Sequence, residues 1–153
     1  MQRTLVLLKP DCLERRLVGT VLARLERKGF QIVAMKLLQV TEELASRHYA
    51  EHLEKPFYPQ LLAYITSDPV LAMVLEGREV IATVRKLVGA TNGILAEPGT
   101  IRGDFSTSGQ RNLVHASDSA ASAEREIGIF FRPEEILTWK TDDSSLYLAE
   151  HEK

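Results

Sequence analysis

The sequence has one cysteine, Cys12, among 153 residues. A single thiol cannot form a disulfide within the chain, and it cannot build a zinc site of several thiolates or a C-x-x-C redox centre. No hydrophobic run approaches the ~20 residues that span a membrane. The apolar run at residues 5–8 is also shorter than the core of a signal peptide. We therefore expect a cytoplasmic protein without membrane segments.

The sequence also has no excess of charge of either sign. Its 19 basic and 21 acidic side chains give a net charge of −2, which argues against a general nucleic-acid or membrane-surface binder. The length and the 44% of apolar residues suit one domain with its own core. We expect a single domain over residues 1–153, with a polar tail from about 141 to 153 that lies on the surface or on a neighbouring subunit.

Several common catalytic motifs are missing. No glycine is followed by lysine, so there is no P-loop, and neither G-x-G-x-x-G nor G-x-S-x-G occurs. His48 and His52 have the spacing of a zinc pair on one helix face, but the glutamate of H-E-x-x-H is absent. We expect them to be two partly exposed helix histidines.

The hydrophobic pattern predicts alternating strands and helices. Short apolar runs predict strands at residues 4–8, 31–40, 70–75 and 127–131. Helical spacing predicts helices near residues 18–25, 41–52, 57–65, 79–88 and 119–126, and a last helix from Pro133. Thr41 is expected to cap its helix, and Gly29 and Gly89 to end theirs. This order resembles a split βαβ, ferredoxin-like sandwich of the α+β class: a four-stranded antiparallel sheet with covering helices and a long loop insertion.

The loop insertion covers residues 91–112 and is rich in glycine. Loops longer than ~12–15 residues are uncommon in compact domains unless they are functional. It carries Arg102 and Arg111; elsewhere Lys9 ends the first strand and Arg85 lies near the end of a helix. Asn112, His115, Ser117 and Asp118 follow just before a helix. Cationic groups, an amide and a helix N-terminus suit a polyphosphate, and a histidine beside them could act as base or nucleophile.

Residues 112–118, N-L-V-H-A-S-D, resemble the signature N-x-x-H-G-S-D of nucleoside diphosphate kinases. Further matches follow in family order: K-P-D at 9–11, H-Y at 48–49, P-F at 56–57, A-T-N at 90–92, P-G-T-I-R-G-D-F at 98–105, and S-A-E at 122–124 leading to Glu126. The resemblance runs from about residue 3 to about residue 139.

The resemblance implies ping-pong transfer of the γ-phosphate, mainly from ATP, to nucleoside diphosphates through a phosphohistidine on His115. Glu126 would hold the other ring nitrogen, and Lys9 would meet the transferring phosphate. Tyr49 would line the surroundings of the nucleophile, and Ser117 belongs to the same catalytic motif. Magnesium would be the cofactor, held by nucleotide phosphates and water and not by protein ligands.

The resemblance also implies how the nucleotide binds. Arg85, Thr91 and Arg102 would hold the phosphates, and Asn112 would bond the ribose. Phe57 would stack on the base, with Leu61 one helical turn further on. Stacking tolerates any base, so broad base tolerance is expected. Relatives are hexamers or tetramers, and the long C-terminal tail favours a hexamer here.

The sequence departs from the family pattern at three places. Ala116 replaces the glycine after the nucleophile. If the site needs a positive φ there, alanine costs ~1 kcal/mol or more, and otherwise only the added methyl matters. Gly109 stands where an aliphatic residue usually faces the base. Gly93 replaces a proline in the long loop, which packs at the trimer contact of hexameric members.

Two other functions remain open. A non-catalytic nucleotide-binding subunit would have the same fold, but the complete set of expected site residues weighs against it. A nucleic-acid-binding protein would need a basic stripe, which a chain of net charge −2 does not show. No membrane partner is expected.

Overall fold

A four-stranded antiparallel sheet forms the centre of the structure, a computed structural model that describes residues 1–139, 141 and 144–152. Its strands are β1 (Gln2–Leu8), β2 (Gln31–Leu38), β3 (Val70–Gly77) and β4 (Val114–Ala116), in the order β2-β3-β1-β4. All three neighbouring pairs are antiparallel. The expected α+β fold class, a four-stranded antiparallel sheet with covering helices, is confirmed.

Eight α-helices surround this sheet within the described ranges. They are α1 (Pro10–Glu14), α2 (Val18–Glu26), α3 (Glu42–His48), α4 (Tyr58–Ile65), α5 (Val80–Val88), α6 (Ile101–Phe105), α7 (Ala120–Phe130) and α8 (Ser144–Tyr147). Short 3-10 turns lie at Ala50–His52, Gly93–Leu95, Pro133–Glu135 and Glu150–Glu152. None of the helices in these ranges has the length and apolar character needed to cross a bilayer.

Strand β1 is buried on both faces, which explains its continuous apolar sequence. Val6 and Leu8 pack into one core beneath α2 and α5, while Leu5 and Leu7 pack into a second core with Phe130 and other residues. Helix α7 packs on β1, and α5 packs on both β1 and β4. The two central strands, β1 and β3, therefore contribute side chains to the cores on both faces of the sheet.

Two of the three predicted helix ends agree with the structure. Thr41 caps α3, since its hydroxyl accepts a hydrogen bond from the Leu44 N–H at 3.1 Å. Gly89 directly follows α5 with a φ of 88°, in the left-handed region that favours glycine. Gly29 also has a positive φ, 90°, but α2 ends at Glu26 and its C-cap is Arg27.

The predicted strand at residues 127–131 is wrong. Helix α7 continues through Phe130, because its buried side chains Ala123, Glu126 and Phe130 recur at helical spacing and face β1. The fourth strand is instead β4, only three residues long and paired with Val6–Leu8 of β1. The predicted last helix is a 3-10 turn at Pro133–Glu135.

The long loop and the C-terminal tail contain more structure than expected. The 91–112 segment includes a 3-10 turn and α6, whose cap Thr100 accepts from the Gly103 N–H at 3.0 Å. In the predicted tail, residues 142, 143 and 153 lie outside the described residues. Glu152 forms an ion pair with Arg78 at 3.0 Å, and the Tyr147 ring packs against Gly29, so this part of the tail lies on the protein surface.

Candidate active site

Strand β4 presents His115 to a carboxylate on α7. His115 pairs with Leu7 across the sheet, and its side chain is 24% exposed. Its Nε2 lies 2.9 Å from Oε2 of buried Glu126, which also accepts a hydrogen bond from Ser117 Oγ at 2.6 Å. An ionised carboxylate only accepts, so Nε2 carries the proton. The lone pair of the neutral ring is then on Nδ1, directed away from Glu126.

The charge state of Glu126 supports this tautomer. Burial alone would raise the pKa of its carboxyl, but hydrogen bonds from His115 and Ser117 hold that pKa below its usual value. Glu126 is therefore ionised at neutral pH. It can orient the ring and stabilise a positive charge that develops on it.

His48 packs against His115 and is buried, so the expectation of a partly exposed helix histidine is wrong for this residue. The two ring centroids are 4.7 Å apart. Burial, and then repulsion from His115 when that ring is protonated, lower the pKa of His48 to about 3, so His48 stays neutral beside His115. Its spacing on α3 did not reveal this position, because the partner ring comes from a distant strand. The expectation of partial exposure is correct for His52, which lies in the 3-10 turn after α3.

Lys9 and Asn112 join the end of β1 to the long loop. Lys9 Nζ donates to Asn112 Oδ1 at 2.7 Å, and the Asn112 amide donates to the carbonyls of Thr91 and Gly109 at 2.7 and 2.8 Å. Burial and then the charge of Arg102 lower the pKa of Lys9 to about 8. Such a buried ammonium favours an anionic ligand.

Arg102 lies beneath the same loop, and Arg85 approaches β4 from α5. The Arg102 guanidinium donates to the carbonyls of Gly89, Asn112 and Val114 at 3.1, 3.3 and 2.6 Å, using three of its N–H groups. Burial and then the Arg85 charge lower its pKa to about 10. Arg85 donates to the Ala116 carbonyl at 3.4 Å. Three cationic side chains thus surround β4.

A row of aromatic rings connects His115 to Phe57. Successive centroid distances are 4.7 Å from His115 to His48, 4.5 Å to Tyr49, 6.1 Å to His52 and 5.4 Å to Phe57. Phe57 is 47% exposed, whereas Leu61 is buried. Burial and the Glu126 charge raise the pKa of Tyr49, so its hydroxyl is protonated. The guanidinium of Arg111, the other arginine singled out in the loop, lies 5.5 Å from the Tyr64 ring centroid.

The cluster of His48, His115 and Glu126 has ligand atoms within 4.8 Å of one another. Two observations make it a poor magnesium site. Mg²⁺ prefers oxygen ligands, while two of the three groups offer nitrogen, and Glu126 already accepts from two donors. The cations around β4 suit phosphate oxygens instead.

Ala116 occupies an ordinary strand position. It pairs with Val6 in β4, is buried in the core, and has a negative φ. The alternative in which the site needs a positive φ after His115 therefore does not apply. Only the added methyl distinguishes alanine from glycine here.

Comparison with known proteins agrees with the resemblance. Residues 2–136 match the family model described as nucleoside diphosphate kinase. The chain is 66% identical over 139 residues to a nucleoside diphosphate kinase of Rhodopirellula baltica, with 91% of each chain covered. It is 60% identical over 137 residues to one of Thermus thermophilus, covering 90% of this chain and all of the relative.

Among solved structures, a halophilic nucleoside diphosphate kinase from Halobacterium salinarum in complex with CDP matches with a TM-score of 0.95. The two are 45% identical, with 97% of this chain and 99% of the other covered. A family protein from Babesia bovis matches with a TM-score of 0.93 and 40% identity, covering 97% of this chain and all of the other. The family model alone covers most of the sequence. The chain therefore belongs to the nucleoside diphosphate kinase family.

Proposed function

We propose that this nucleoside diphosphate kinase works by a ping-pong mechanism through a phosphohistidine on His115, with ATP as the main donor. The observation that carries the proposal is the contact of His115 Nε2 with the buried Glu126 carboxylate at 2.9 Å. It leaves Nδ1 as the nucleophilic nitrogen on the other side of the ring. The oriented nucleophile lies among three cationic side chains, which suit a polyphosphate.

In the first half-reaction, the Nδ1 lone pair attacks the γ-phosphorus of the triphosphate. A P–N bond forms, the bond to the β,γ-bridging oxygen breaks, and the nucleoside diphosphate leaves with that electron pair. The ring becomes positively charged, and Glu126 stabilises it through the Nε2 proton. In the second half-reaction, a terminal β-phosphate oxygen of another diphosphate attacks the same phosphorus. The P–N bond breaks, and neutral His115 is restored.

Positioning and charge stabilisation contribute most of the catalysis of phosphoryl transfer. We assign phosphate binding to Lys9, Arg85, Thr91 and Arg102. Lys9 supports this role because its ammonium is buried, and the negative charge of Asp11 offsets only part of the effect of burial and of the Arg102 charge. Arg102 supports it because its three backbone hydrogen bonds leave further N–H donors on a guanidinium that carries five.

The nucleoside is assigned to the neighbouring surface. The half-exposed Phe57 ring offers a stacking face beside Leu61, and stacking accepts purines and pyrimidines alike. The CDP complex of the Halobacterium relative supports a place for a cytosine base in such a site. Asn112 Oδ1 has a second lone pair beyond its bond to Lys9, so it can accept a ribose hydroxyl.

We propose that magnesium enters with the nucleotide, held by phosphate oxygens and water, and not by protein ligands. When bound, it neutralises charge on the phosphates. The donor set around His115 supports this assignment, since its cations repel a free divalent ion.

We further propose that residues 1–153 form one domain that assembles into a homo-oligomer in the cytoplasm, where nucleotides are used. A hexamer is favoured over a tetramer. Ile94 and Leu95 on the long loop and Leu37 on the edge strand β2 expose apolar side chains, which supports burial by other subunits. Mass measurement in solution would decide between the two assemblies.

The test of the mechanism is incubation with γ-labelled ATP and magnesium but no acceptor. We expect one label per chain at most, stable to alkali and labile to acid, which transfers to added GDP or dCDP. Glu135→Gln is the matched control, because it changes a carboxylate that bonds Arg132 and Lys36 away from His115. A protein that binds ATP but never takes up label would contradict the phosphohistidine and favour a binding role.

A further inference from the structure

Leu113, two residues before the nucleophile, has a backbone conformation that side chains rarely adopt. Its φ is 70°, in the left-handed region, although it is not glycine. The Val114 N–H donates to the Asn112 carbonyl at 2.8 Å, which closes a three-residue turn around Leu113. A γ-turn with this sign of φ is rare and strained. Such strain persists only where the surrounding structure holds it.

This turn separates two site residues with different partners. On one side, the Asn112 side chain meets Lys9 at 2.7 Å. On the other, β4 begins and places His115 against Glu126 at 2.9 Å. A relaxed backbone at Leu113 would change the direction of β4 relative to Asn112. The turn therefore determines where His115 lies relative to the side chains of Asn112 and Lys9.

Two polar backbone contacts hold the turn from α1 and the end of β1. The Leu113 N–H donates to Asp11 Oδ2 at 3.1 Å, and the Leu113 carbonyl accepts from the Lys9 N–H at 2.8 Å. The Leu113 side chain is fully buried in the core. Asp11 thus bonds the Leu113 N–H, while the Arg102 Nε donates to the Asn112 carbonyl of the same turn at 3.3 Å.

Asp11 is in turn held by Tyr64 of α4. The Tyr64 hydroxyl donates a hydrogen bond to Asp11 Oδ1, and both residues are buried. Burial and the hydrogen bond to the carboxylate raise the pKa of Tyr64, so the hydroxyl remains a donor. Each oxygen of the carboxylate therefore has one buried donor, and the carboxylate cannot rotate without losing both.

We propose that Asp11 and Tyr64 are positioning residues for phosphoryl transfer, because they hold the left-handed turn at Leu113 and thereby align His115 with Asn112 and Lys9. This inference rests on the proposed phosphohistidine mechanism. Neither residue touches the nucleotide in it. Their contribution lies in the rate of the chemical step, since small misplacements of a reacting group slow a reaction strongly.

The test compares the rate of His115 labelling at saturating γ-labelled ATP in wild type, Asp11→Ala, Tyr64→Phe and the control Glu135→Gln. Alanine removes the acceptor, whereas asparagine could still accept from the Leu113 N–H and donate to the Tyr64 hydroxyl. Each rate is normalised to the final amount of label, so that unfolded molecules do not count. We expect a loss of roughly 10- to 100-fold for Asp11→Ala, with the ATP dissociation constant changed less than about threefold. Tyr64→Phe keeps the Leu113 bond and should lose less, about three- to tenfold. The control should stay within about twofold.

A second comparison separates the turn from general packing. Glycine adopts a positive φ without strain, whereas alanine does not, and both remove the same leucine packing to within a methyl. We therefore expect Asp11→Ala with Leu113→Gly to label at least about fivefold faster than Asp11→Ala with Leu113→Ala.

The inference is overturned by Asp11→Ala labelling within about twofold of wild type, or by equal rates for the glycine and alanine double variants. A wild-type protein that takes up no label would contradict the proposed mechanism itself. The two kinds of outcome therefore distinguish an error in the positioning role of Asp11 and Tyr64 from an error in the phosphohistidine mechanism.

Discussion

Strands β1 and β4 lie side by side in the sheet, and both carry site residues, but they form for different reasons. β1 has seven residues, pairs with strands on both sides, and buries a continuous apolar run. β4 has three residues and follows a left-handed turn. The first strand is specified by its own residues, while the second depends on β1 and Arg102, which bond its backbone, and on Asp11, which bonds Leu113 just before it. The proposed reacting group, His115, is on the strand that depends on its surroundings.

The largest expected effect comes from the reacting side chain of β4. His115→Ala should lower transfer from ATP to GDP by at least about 10⁴-fold, since no nitrogen remains to accept the phosphoryl group. His115 is partly exposed, so the variant should stay folded. A coupled assay of GDP phosphorylation measures the loss, and circular dichroism checks the fold. A folded variant with appreciable transfer would remove His115 from this role.

The next effect concerns the residue at the end of β1. Lys9→Gln should reduce kcat/KM by about 10²- to 10³-fold, because a cation is lost from the transferring phosphate. Lys9 has a pKa of about 8 in the free protein, so it is charged below that pH and becomes neutral above it.

The wild-type kcat/KM should therefore fall as pH rises through about 8, and Lys9→Gln should lack this fall. Profiles of kcat/KM against pH for the two proteins provide the measurement. The same high-pH decline in both would assign it to another group.

A smaller effect is expected from the support that α7 gives to β4. Glu126→Gln keeps a hydrogen-bond acceptor for His115 Nε2 but removes the charge that stabilises the imidazolium, so labelling should slow by about 10- to 100-fold. Single-turnover labelling at saturating ATP measures this step. An unchanged rate would show that the carboxylate only orients the ring.

The smallest effect is expected at Ala116, within β4 itself. Its φ is negative, so Ala116→Gly relieves no strain and should change the labelling rate by less than about threefold. Glycine inside a strand should also lower the free energy of unfolding by about 0.5–1 kcal/mol. Urea unfolding and the labelling assay test both parts. A large gain in rate would mean that the methyl group obstructs the nucleotide.

Much of the fold could be predicted from local pattern. The spacing of apolar residues predicts the three longer strands and the helix on residues 80–88. Capping chemistry predicts the helix ends at Thr41 and Gly89. The prediction failed at residues 127–131, where a β-branched and aromatic sequence continues a helix because α7 packs lengthwise on β1. Propensity gives way to packing at such positions.

The candidate site, like the fold, could be predicted from the sequence only in part. Motif resemblance identified His115, Glu126, Lys9 and the loop residues, and the structure brings the first two into contact. It did not indicate that His48 is buried beside His115 or that Asp11 bonds Leu113. These contacts join residues far apart in the chain, and nothing local predicts them.

The sequence by itself determined the family, the α+β class, the long helices and the residue types available for phosphoryl transfer, because periodicity, capping and motifs are local properties. Only the tertiary structure decided the position of β4, the left-handed φ of Leu113 and the orientation of His115. Those features depend on hydrogen bonds and burial supplied by distant segments. A three-residue strand with a strained neighbour has too little local preference to form alone, so the folded protein around it must hold it in place.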